Sequence, residues 1–503
     1  EPIRSALLEG GSWWSEAFEK AGFKNGFRIE MLPADADPLD VRYNVIQWVH
    51  RKTRGWSYGA SIADPRTGEI IKGHVSLGSL RVRQDFMIAQ GLLSNLDNDG
   101  NLKPMQEMAL ARLRQLSAHE IGHTIGLTHN FTASINGRAS VMDYPHPLVN
   151  AVDDQLAFKN SYDDKIGTWD IRAIKYGYVN IPEGENEEKY LSKLISKTEQ
   201  EGYLFITDQD ARPKGGIHPY AHLWDNGEDP IDELTRLIKL RQRSLDKFDS
   251  GALPLGAPMS ELEKVLVPVY LMHRSQVDAT SKLIGGLDYK YALNTHKSLK
   301  TYDLISVSRQ KEATSAILKT VSSDFLRIPD HVLKLIPPPA FGFKRTREVL
   351  KGNTGLAFDP LSSAEAAANY SLGFLLEPSR LNRIYIHKQK GWSLSDYLNL
   401  IESKIFDNQT DQISIAVEKI LVIHYLKLLD EKSLNTQVAA LLTWRLNGLQ
   451  SKLYSKKFDR LSDDIKAHRQ YIRQMINHGL DPDVKIELPE IPKMPPGSPI
   501  GCG

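Results

Sequence analysis

The chain has 503 residues, of which 41% are hydrophobic and 25% are charged, as in ordinary globular proteins. Lysine and arginine (63) nearly balance aspartate and glutamate (62), so the charge gives no reason to expect nucleic acid or an anionic membrane as a partner. The sequence has no apolar run of about 20 residues, so we predict no transmembrane helix. Cys502 is the one cysteine, which excludes an intramolecular disulfide and a zinc site made of cysteines.

Residues 1–180 mix helical and extended patterns, which predicts an α+β domain. The helix signals are apolar residues at helical spacing with glycine or proline at the ends, and the strand signals are alternating apolar residues. In chain order we predict a helix over 5–21, strands over 27–32, 43–50, 59–63 and 69–77, and helices over 104–127 and 168–176. The turn-forming run from Asp64 to Gly68 predicts a hairpin between the last two strands.

The remainder of the chain changes character twice. Residues 181–228 are polar and are expected to form an irregular connector, whereas a helical pattern after Asp229-Pro230 predicts an α-helical domain over 229–480. Its predicted helices are 230–249, 260–284, 299–320, 363–376, 394–406, 411–430, 435–454 and 461–478. Residues 481–503 are rich in proline and are expected to be extended.

One motif carries recognisable chemistry: residues 119–130 read His-Glu-Ile-Gly-His-Thr-Ile-Gly-Leu-Thr-His-Asn. His119 and His123 are four residues apart, so on a helix both rings leave from the same face. Gly126 can adopt a left-handed conformation, end the helix and allow His129 to turn back toward them. Three neutral imidazoles leave one position on Zn²⁺ open, which is the catalytic rather than the structural pattern. We therefore predict a zinc site formed by His119, His123 and His129.

Glu120 follows the first predicted ligand directly. Without binding the metal, its carboxylate can accept a proton from a metal-activated water, which makes it the candidate general base. A bare His-Glu-x-x-His is a weak signal, but the glycine and the third histidine make the extended pattern specific. The alternative interpretation is that these histidines are ordinary helix residues with hydrogen bonds in the core.

The extended motif resembles the signature of the metzincin zinc peptidases. The order of elements in residues 1–180 is similar to that of a metzincin catalytic domain. By this resemblance, Met142 belongs to a methionine turn beneath the zinc, and Tyr144 reaches the metal or the transition-state oxyanion. The strand within 69–77 would be the sheet edge along which a peptide substrate lies antiparallel. The alternatives are loop and core packing for the two side chains and a plain paired strand.

The wider chain is similar to large bacterial zinc-dependent metalloproteases that carry domains of unknown function. This resemblance rests on the segment from Trp14 to Phe23, the turn from Asp64 to Glu69 and the zinc motif. It implies an exported protein, periplasmic or extracellular, with a peptide or protein substrate. Two departures are that Asn130 replaces the Glu, Asp, Ser or Pro of the best-known subfamilies, and that no strand precedes the first helix. A fragment or processed product is therefore an open alternative.

The function that we predict is zinc-dependent hydrolysis of peptide bonds. The alternatives are a non-catalytic module that binds peptide or glycan on a metalloprotease scaffold, and zinc hydrolysis of another bond. Two weaker groups remain. Asp208, Asp210 and Arg212 precede a run from His218 to Asp225, which could line the cleft, bind a substrate terminus, hold a second metal or form a hydrogen-bonded connector. The acidic run 97–101 is interpreted as a turn, because its glycine is misplaced for an EF-hand.

Overall fold

The computed structural model describes residues 1–50, 57–93, 102–152, 155–158, 160–293, 301–406, 411–453 and 461–496. The α-helices are α1 (Ile3–Lys20), α2 (Leu80–Leu93), α3 (Lys103–Thr124), α4 (Thr168–Tyr178), α5 (Glu187–Gln200), α6 (Asp208–Ala211), α7 (Pro230–Asp246), α8 (Leu262–Tyr270), α9 (Arg274–Ser281), α10 (Val307–Lys319), α11 (Ser323–Leu326), α12 (Asp330–Leu333), α13 (Pro360–Leu375), α14 (Pro378–Ile386), α15 (Leu394–Phe406), α16 (Gln412–Leu429), α17 (Thr436–Leu453) and α18 (Asp463–Leu480). The strands are β1 (Val45–Val49), β2 (Tyr58–Ala63), β3 (Ile70–Gly78), β4 (Asn150–Val152), β5 (Gln155–Ala157), β6 (Leu287–Tyr289) and β7 (Tyr302–Leu304). Short 3-10 helices cover Ala133–Asn136, Ser250–Ala252 and Met259–Glu261. The α+β fold predicted from the sequence is confirmed.

Helices α1 and α3 cross in close contact and form the base of the first core. The crossing requires glycine, because a Cβ at Gly10 would lie 2.0 Å from the carbonyl oxygen of Arg114. Trp14 is fully buried beside it and donates from Nε1 to the carbonyl of Ala118 at 2.8 Å. This contact fixes α3 along the segment that immediately precedes the zinc motif.

The three-stranded sheet packs on α3, and its strand order is β1-β3-β2. The predicted hairpin is confirmed: β2 and β3 are antiparallel, with Tyr58 opposite Ser76. Strand β1 pairs with the other edge of β3 in the parallel direction, with Val45 opposite His74. The prediction that the strand within 69–77 is a sheet edge was therefore wrong, because β3 is paired on both sides. Among the described strands of this sheet, β1 and β2 are the outer strands, and β2 is the outer strand that belongs to the hairpin.

Four further local predictions were wrong. The segment 27–32 forms no strand. Residues 181–228, expected to be irregular, contain α5 and α6. The predicted helix 260–284 is divided into α8 and α9 by a turn at residues 271–273. In the described part of the predicted helix 299–320, strand β7 comes first and the helix begins only at Val307. Helix α2 was not predicted, since it is buried between α3 and α8 and so lacks a single apolar face. The acidic run 97–101 lies outside the described residues.

The helical region shares its core with the first part of the chain. Apolar side chains of α2, such as Ile88, and of the start of α3, such as Met105, belong to the same buried cluster as Leu266 of α8. The end of α3 instead packs with α1, β3 and the methionine-bearing loop, through Leu116 and Ile121. The two cores therefore meet along α3. No described helix combines the length and the apolar character needed to cross a bilayer.

Candidate metal centre

The end of α3 brings the three predicted histidines together. His119 and His123 project from successive turns, with ring centroids 4.9 Å apart. The helix ends at Thr124, and Gly126 takes φ 90°, the left-handed conformation expected of it. The chain then returns, so that the His129 ring lies 4.6 Å from His123 and 5.2 Å from His119. One possible ligand atom from each histidine lies within 4.8 Å of the other two.

Each of the three rings is oriented by an oxygen atom at Nδ1. His119 Nδ1 lies 2.6 Å from the carbonyl of Val141, and His123 Nδ1 lies 2.9 Å from the carbonyl of Leu127. His129 Nδ1 lies 2.7 Å from Oδ2 of Asp208. Carbonyl and carboxylate oxygens only accept hydrogen bonds, so each Nδ1 is the protonated nitrogen. The Nε2 atom of each neutral ring then carries a lone pair.

The arrangement of the Nε2 atoms fits a metal cation. His119 Nε2 is buried without a hydrogen-bond partner, and the Nε2 atoms of His123 and His129 lie 3.1 Å apart. If both Nε2 atoms carry lone pairs, this distance is unfavourable without a cation between them, so a shared metal ion fits the arrangement. Burial and the neighbouring histidines lower the pKa of His119 well below its usual value and that of His123 to about 4. Both rings are therefore neutral at pH 7, as nitrogen ligands must be. In the described part of the chain, no other group of three such side chains comes together in this way.

Glu120 is fully buried at the start of the motif. On α3 it is three residues from His123, so its carboxylate projects within one turn of both helical histidines. Strand β2 crosses directly over this point, because a Cβ at Gly59 would lie 1.9 Å from the carbonyl oxygen of Glu120. The edge strand of the sheet and the candidate base are therefore adjacent.

Met142 packs beneath the histidine-bearing turn of α3. It is buried, and its Sδ lies 2.2 Å from the position that a Cβ at Gly122 would occupy. Only glycine at 122 allows this contact. The loop that carries Met142 is held by Asp170 of α4, which accepts hydrogen bonds from Ser140 Oγ at 2.5 Å and from the backbone N–H of Val141 at 2.8 Å. Burial raises the pKa of Asp170 to about 7.

Tyr144 lies against two of the predicted ligands. Its ring is buried, 4.8 Å from His129 and 5.3 Å from His119. Its hydroxyl oxygen accepts a hydrogen bond from Nη2 of Arg212 at 3.1 Å. Trp224 covers the other side of the ring at 4.8 Å, with its backbone at φ 63° and its N–H donating to the Tyr144 carbonyl at 2.8 Å. A left-handed conformation at a tryptophan is strained, which is common at functional sites.

The connecting segment, which we define as residues 203–225, completes the centre. Asp208, the first residue of α6, accepts from His129 Nδ1 and forms an ion pair with Arg212. Burial opposes ionisation of Asp208, but the hydrogen bonds from His129 and Arg212 outweigh it and lower the pKa. Asp208 is therefore a carboxylate that orients His129, and Arg212 links that carboxylate to Tyr144. The sequence placed Asp208 and Arg212 in a weak group without assigning them a role.

The other members of that group form hydrogen bonds within the scaffold. His218 Nε2 lies 2.9 Å from the carbonyl of Tyr289, and His222 Nε2 lies 2.7 Å from the carbonyl of Pro219. Asp210 accepts from the hydroxyls of Tyr289 and Tyr291. Of the alternatives that the sequence left open for this group, these contacts match the hydrogen-bonded connector.

Comparison with known proteins gives one match. A sequence model of a family described as Met-zincin matches residues 101–412, which include α3, the methionine loop, the connecting segment and much of the helical region. No curated protein and no solved structure matches the chain. The matched residues are more than half of the chain, and the description points to zinc metallopeptidases at the level of the family. The chain therefore belongs to the Met-zincin family.

Proposed function

We propose that this protein hydrolyses peptide bonds in proteins or peptides with the help of a zinc ion. The observation that carries this proposal is the set of three Nε2 lone pairs that face one point, each fixed by an acceptor at Nδ1. His119, His123 and His129 would hold the ion. When bound, zinc polarises the scissile carbonyl and lowers the pKa of water toward about 7. The hydrogen bond from His129 to Asp208 orients that ring and raises its basicity as a ligand.

Glu120 acts as the general base in this proposal. It takes the proton of the attacking water and delivers it to the leaving amine as the peptide bond breaks. Burial of the Glu120 side chain keeps bulk water away and strengthens its interaction with the reacting atoms.

Tyr144 stabilises the negative charge that develops on the carbonyl oxygen. Its hydroxyl accepts from the guanidinium of Arg212, and this cation polarises the O–H bond and makes it a stronger donor. Stacking of Trp224 against the ring keeps the hydroxyl in place. Arg212 is thus a positioning residue, and Tyr144 is the proposed oxyanion donor.

The free edge of β2 is the proposed substrate-binding edge, in place of the strand within 69–77. In the described sheet β2 pairs only with β3, and Tyr58 and Ile62 are exposed along it. An extended peptide that adds to this edge gains main-chain hydrogen bonds and passes over Glu120. Affinity would then come from the backbone, and selectivity from side-chain pockets.

The decisive experiment combines metal removal with substitution of the base. Unstructured proteins are incubated with the zinc-loaded chain, with and without a chelator, beside Glu120→Ala and the control Glu107→Ala, which alters an exposed glutamate on the same helix. We expect cleavage that stops on chelation and returns with zinc. Glu120→Ala should retain the metal but lose about 10²- to 10⁴-fold in rate, whereas Glu107→Ala should behave like the wild type.

Two outcomes would contradict the proposal. A zinc-loaded protein that cleaves no member of a broad panel would favour a module that binds peptide or glycan on this scaffold. Chelator-sensitive hydrolysis of a non-peptide bond alone would assign the centre to another reaction.

We also propose that the protein is bacterial and acts in the periplasm or outside the cell. This rests on its resemblance to exported bacterial metalloproteases. Fractionation of cells that express the complete gene tests it, and recovery in the cytoplasm alone would contradict it.

A further inference from the structure

A cavity of about 650 Å³ lies beside the candidate active site, between the connecting segment and helices α9, α13 and α16. Two residues of its wall contact Tyr144: Arg212 through the hydroxyl and Trp224 through the ring. Tyr144 in turn contacts His119 and His129. The wall residues Arg212 and Trp224 and then Tyr144 therefore lie between this cavity and the predicted metal ligands.

The lining of the cavity is mainly positive. It contains the cations Arg212, Lys214, Arg274 and Lys493, against one carboxylate, Asp278. Arg212 is paired with its partner in α6, but among the described residues Lys214 and Lys493 form no ion pair, so the wall keeps positive charge. Such a concentration of one sign in a recess attracts ligands of the opposite sign.

Lys214 has an aromatic contact but no ion pair among the described residues. Its Nζ lies 5.4 Å from the ring centroid of Phe374, and a Cβ at Gly373 would lie 2.8 Å from it. Among the described residues no carboxylate approaches Lys214 within 4.0 Å. Burial lowers its pKa, with the negative charges of Glu377 and Asp278 acting in the opposite direction. Although Lys214 is exposed to solvent, it lines the cavity without an ion pair, so its ammonium group can accept a charged ligand.

The rest of the wall suits a peptide. Trp224, Tyr370 and Phe374 supply aromatic surface, and Asn369 supplies an amide. The volume lies in the range of pockets that hold small organic ligands, which is larger than one amino-acid side chain requires. Because α9, α13 and α16 form most of this wall, the helical region would contribute directly to substrate selection.

We propose that this cavity binds a carboxylate of the substrate peptide through Lys214, with Arg274 and Lys493 adding to the attraction. The inference rests on the proposed function, since it takes the ligand to be a peptide that also reaches the metal centre. The carboxylate can belong to an acidic side chain or to the C-terminus, and both present the same chemistry to the cations.

Matched peptides distinguish these sources. A set of fluorogenic peptides carries glutamate or glutamine near the cleaved bond, each with a free or an amidated C-terminus. We expect kcat/KM to be higher for peptides with the relevant carboxylate, and Lys214→Met to lower that value about tenfold or more without changing it for the neutral peptides. Lys493→Met, on the exposed tail, is the second test variant and should act in the same direction. Lys485→Met, exposed on the same tail but outside the cavity, is the control.

Binding to the inactive Glu120→Ala protein separates this inference from the proposed function. Fluorescence anisotropy with the same peptides should show preference for the carboxylate and its loss in the Glu120→Ala/Lys214→Met double variant. If the wild type cleaves nothing but this preference is present, the enzymatic proposal fails and the cavity assignment stands. Equal binding of charged and neutral peptides, or an equal loss for both in the Lys214 variant, would overturn the cavity assignment.

Discussion

Two segments build the candidate centre, and they differ in how the chain brings them there. The ligand segment, residues 119–129, holds its three histidines within eleven consecutive residues, and local geometry is enough to bring them together. The connecting segment arrives from about 80 residues later, and only the tertiary fold places Asp208 against His129 and Arg212 against Tyr144. The first segment supplies the candidate ligands and the candidate base, and the second orients His129.

This difference teaches that a short motif can identify the chemistry while the residues that tune it lie elsewhere. If the connecting segment only covers the site, substitutions in it should change stability alone. If it belongs to the active site, they should change turnover or metal affinity in a folded protein.

Among substitutions that leave the ligand segment intact, Tyr144→Phe should have the largest effect. Removal of one oxyanion donor typically costs about 10²- to 10³-fold in kcat, and the phenylalanine retains the contacts with His119, His129 and Trp224. Steady-state kinetics should show the loss in kcat with unchanged zinc content. Tyr176→Phe is the control, because that side chain is exposed on α4, outside both segments. A fully active Tyr144→Phe enzyme would remove Tyr144 from the chemistry.

Asp208→Asn should have the next largest effect. Loss of the charge weakens the orientation of His129 and the ion pair with Arg212, and such outer-shell changes typically cost about 10- to 100-fold in metal affinity or activity. Competition with a zinc chelator measures the affinity. Asp232→Asn, an exposed position in the first turn of α7, is the control. Unchanged affinity and unchanged kinetics together would limit the connecting segment to a covering role.

The same contrast explains which parts of the site could be predicted from the sequence. Four-residue spacing on a helix and one glycine with positive φ are local properties, so the convergence of His119, His123 and His129 follows from the order of residues alone. Asp208 is 79 residues from His129. Because residues 181–228 were expected to be irregular, no local pattern predicted its ion pair with Arg212 or its contact with His129.

The fold follows the same division. Strands β2 and β3 and their hairpin were predicted, because a turn sequence joins them. The position of β3 in the centre of the sheet was not, because β1 comes from outside the hairpin and its pairing is a long-range contact. Helix α2 escaped prediction for a related reason, since burial on two sides removes the amphipathic pattern.

Gly59→Ala tests whether β2 and the ligand segment act as one unit. The added methyl group would lie 1.9 Å from the Glu120 carbonyl, and because that atom is backbone the strand or the helix must move. We expect the free energy of unfolding to fall by about 1–3 kcal/mol. We also expect KM to rise, because the proposed substrate-binding edge of β2 shifts relative to the candidate base. Chemical denaturation and kinetics measure the two effects. Ala60→Ser, at the next and exposed position of β2, is the control, and a Gly59→Ala protein with wild-type stability and KM would contradict this packing.

The smallest effect concerns Asp170, which supports the methionine loop from α4. Burial raises its pKa from 3.8 to about 7, so between these values the folded protein holds a proton that the unfolded chain has released. Stability from this group is complete below pH 3.8 and is lost as the pH rises through about 7, with a slope of at most about 1.4 kcal/mol per pH unit. Asp170→Asn cannot titrate, but its amide oxygen can still accept from the N–H groups of Val141 and Gly167.

The variant should therefore remain folded and lose stability less steeply than the wild type between about pH 4.5 and 6.5. Denaturation at several pH values, with the exposed Asp464→Asn as control, measures the difference in slope. Other buried carboxylates with a raised pKa, such as Asp143 and Asp225, remain in both proteins, so their titration cancels in the comparison. Parallel curves would mean that Asp170 is already ionised in this range. In that case its hydrogen bonds to the loop outweigh the cost of burial, and the loop beneath the metal centre is held by a charge rather than by a neutral acid.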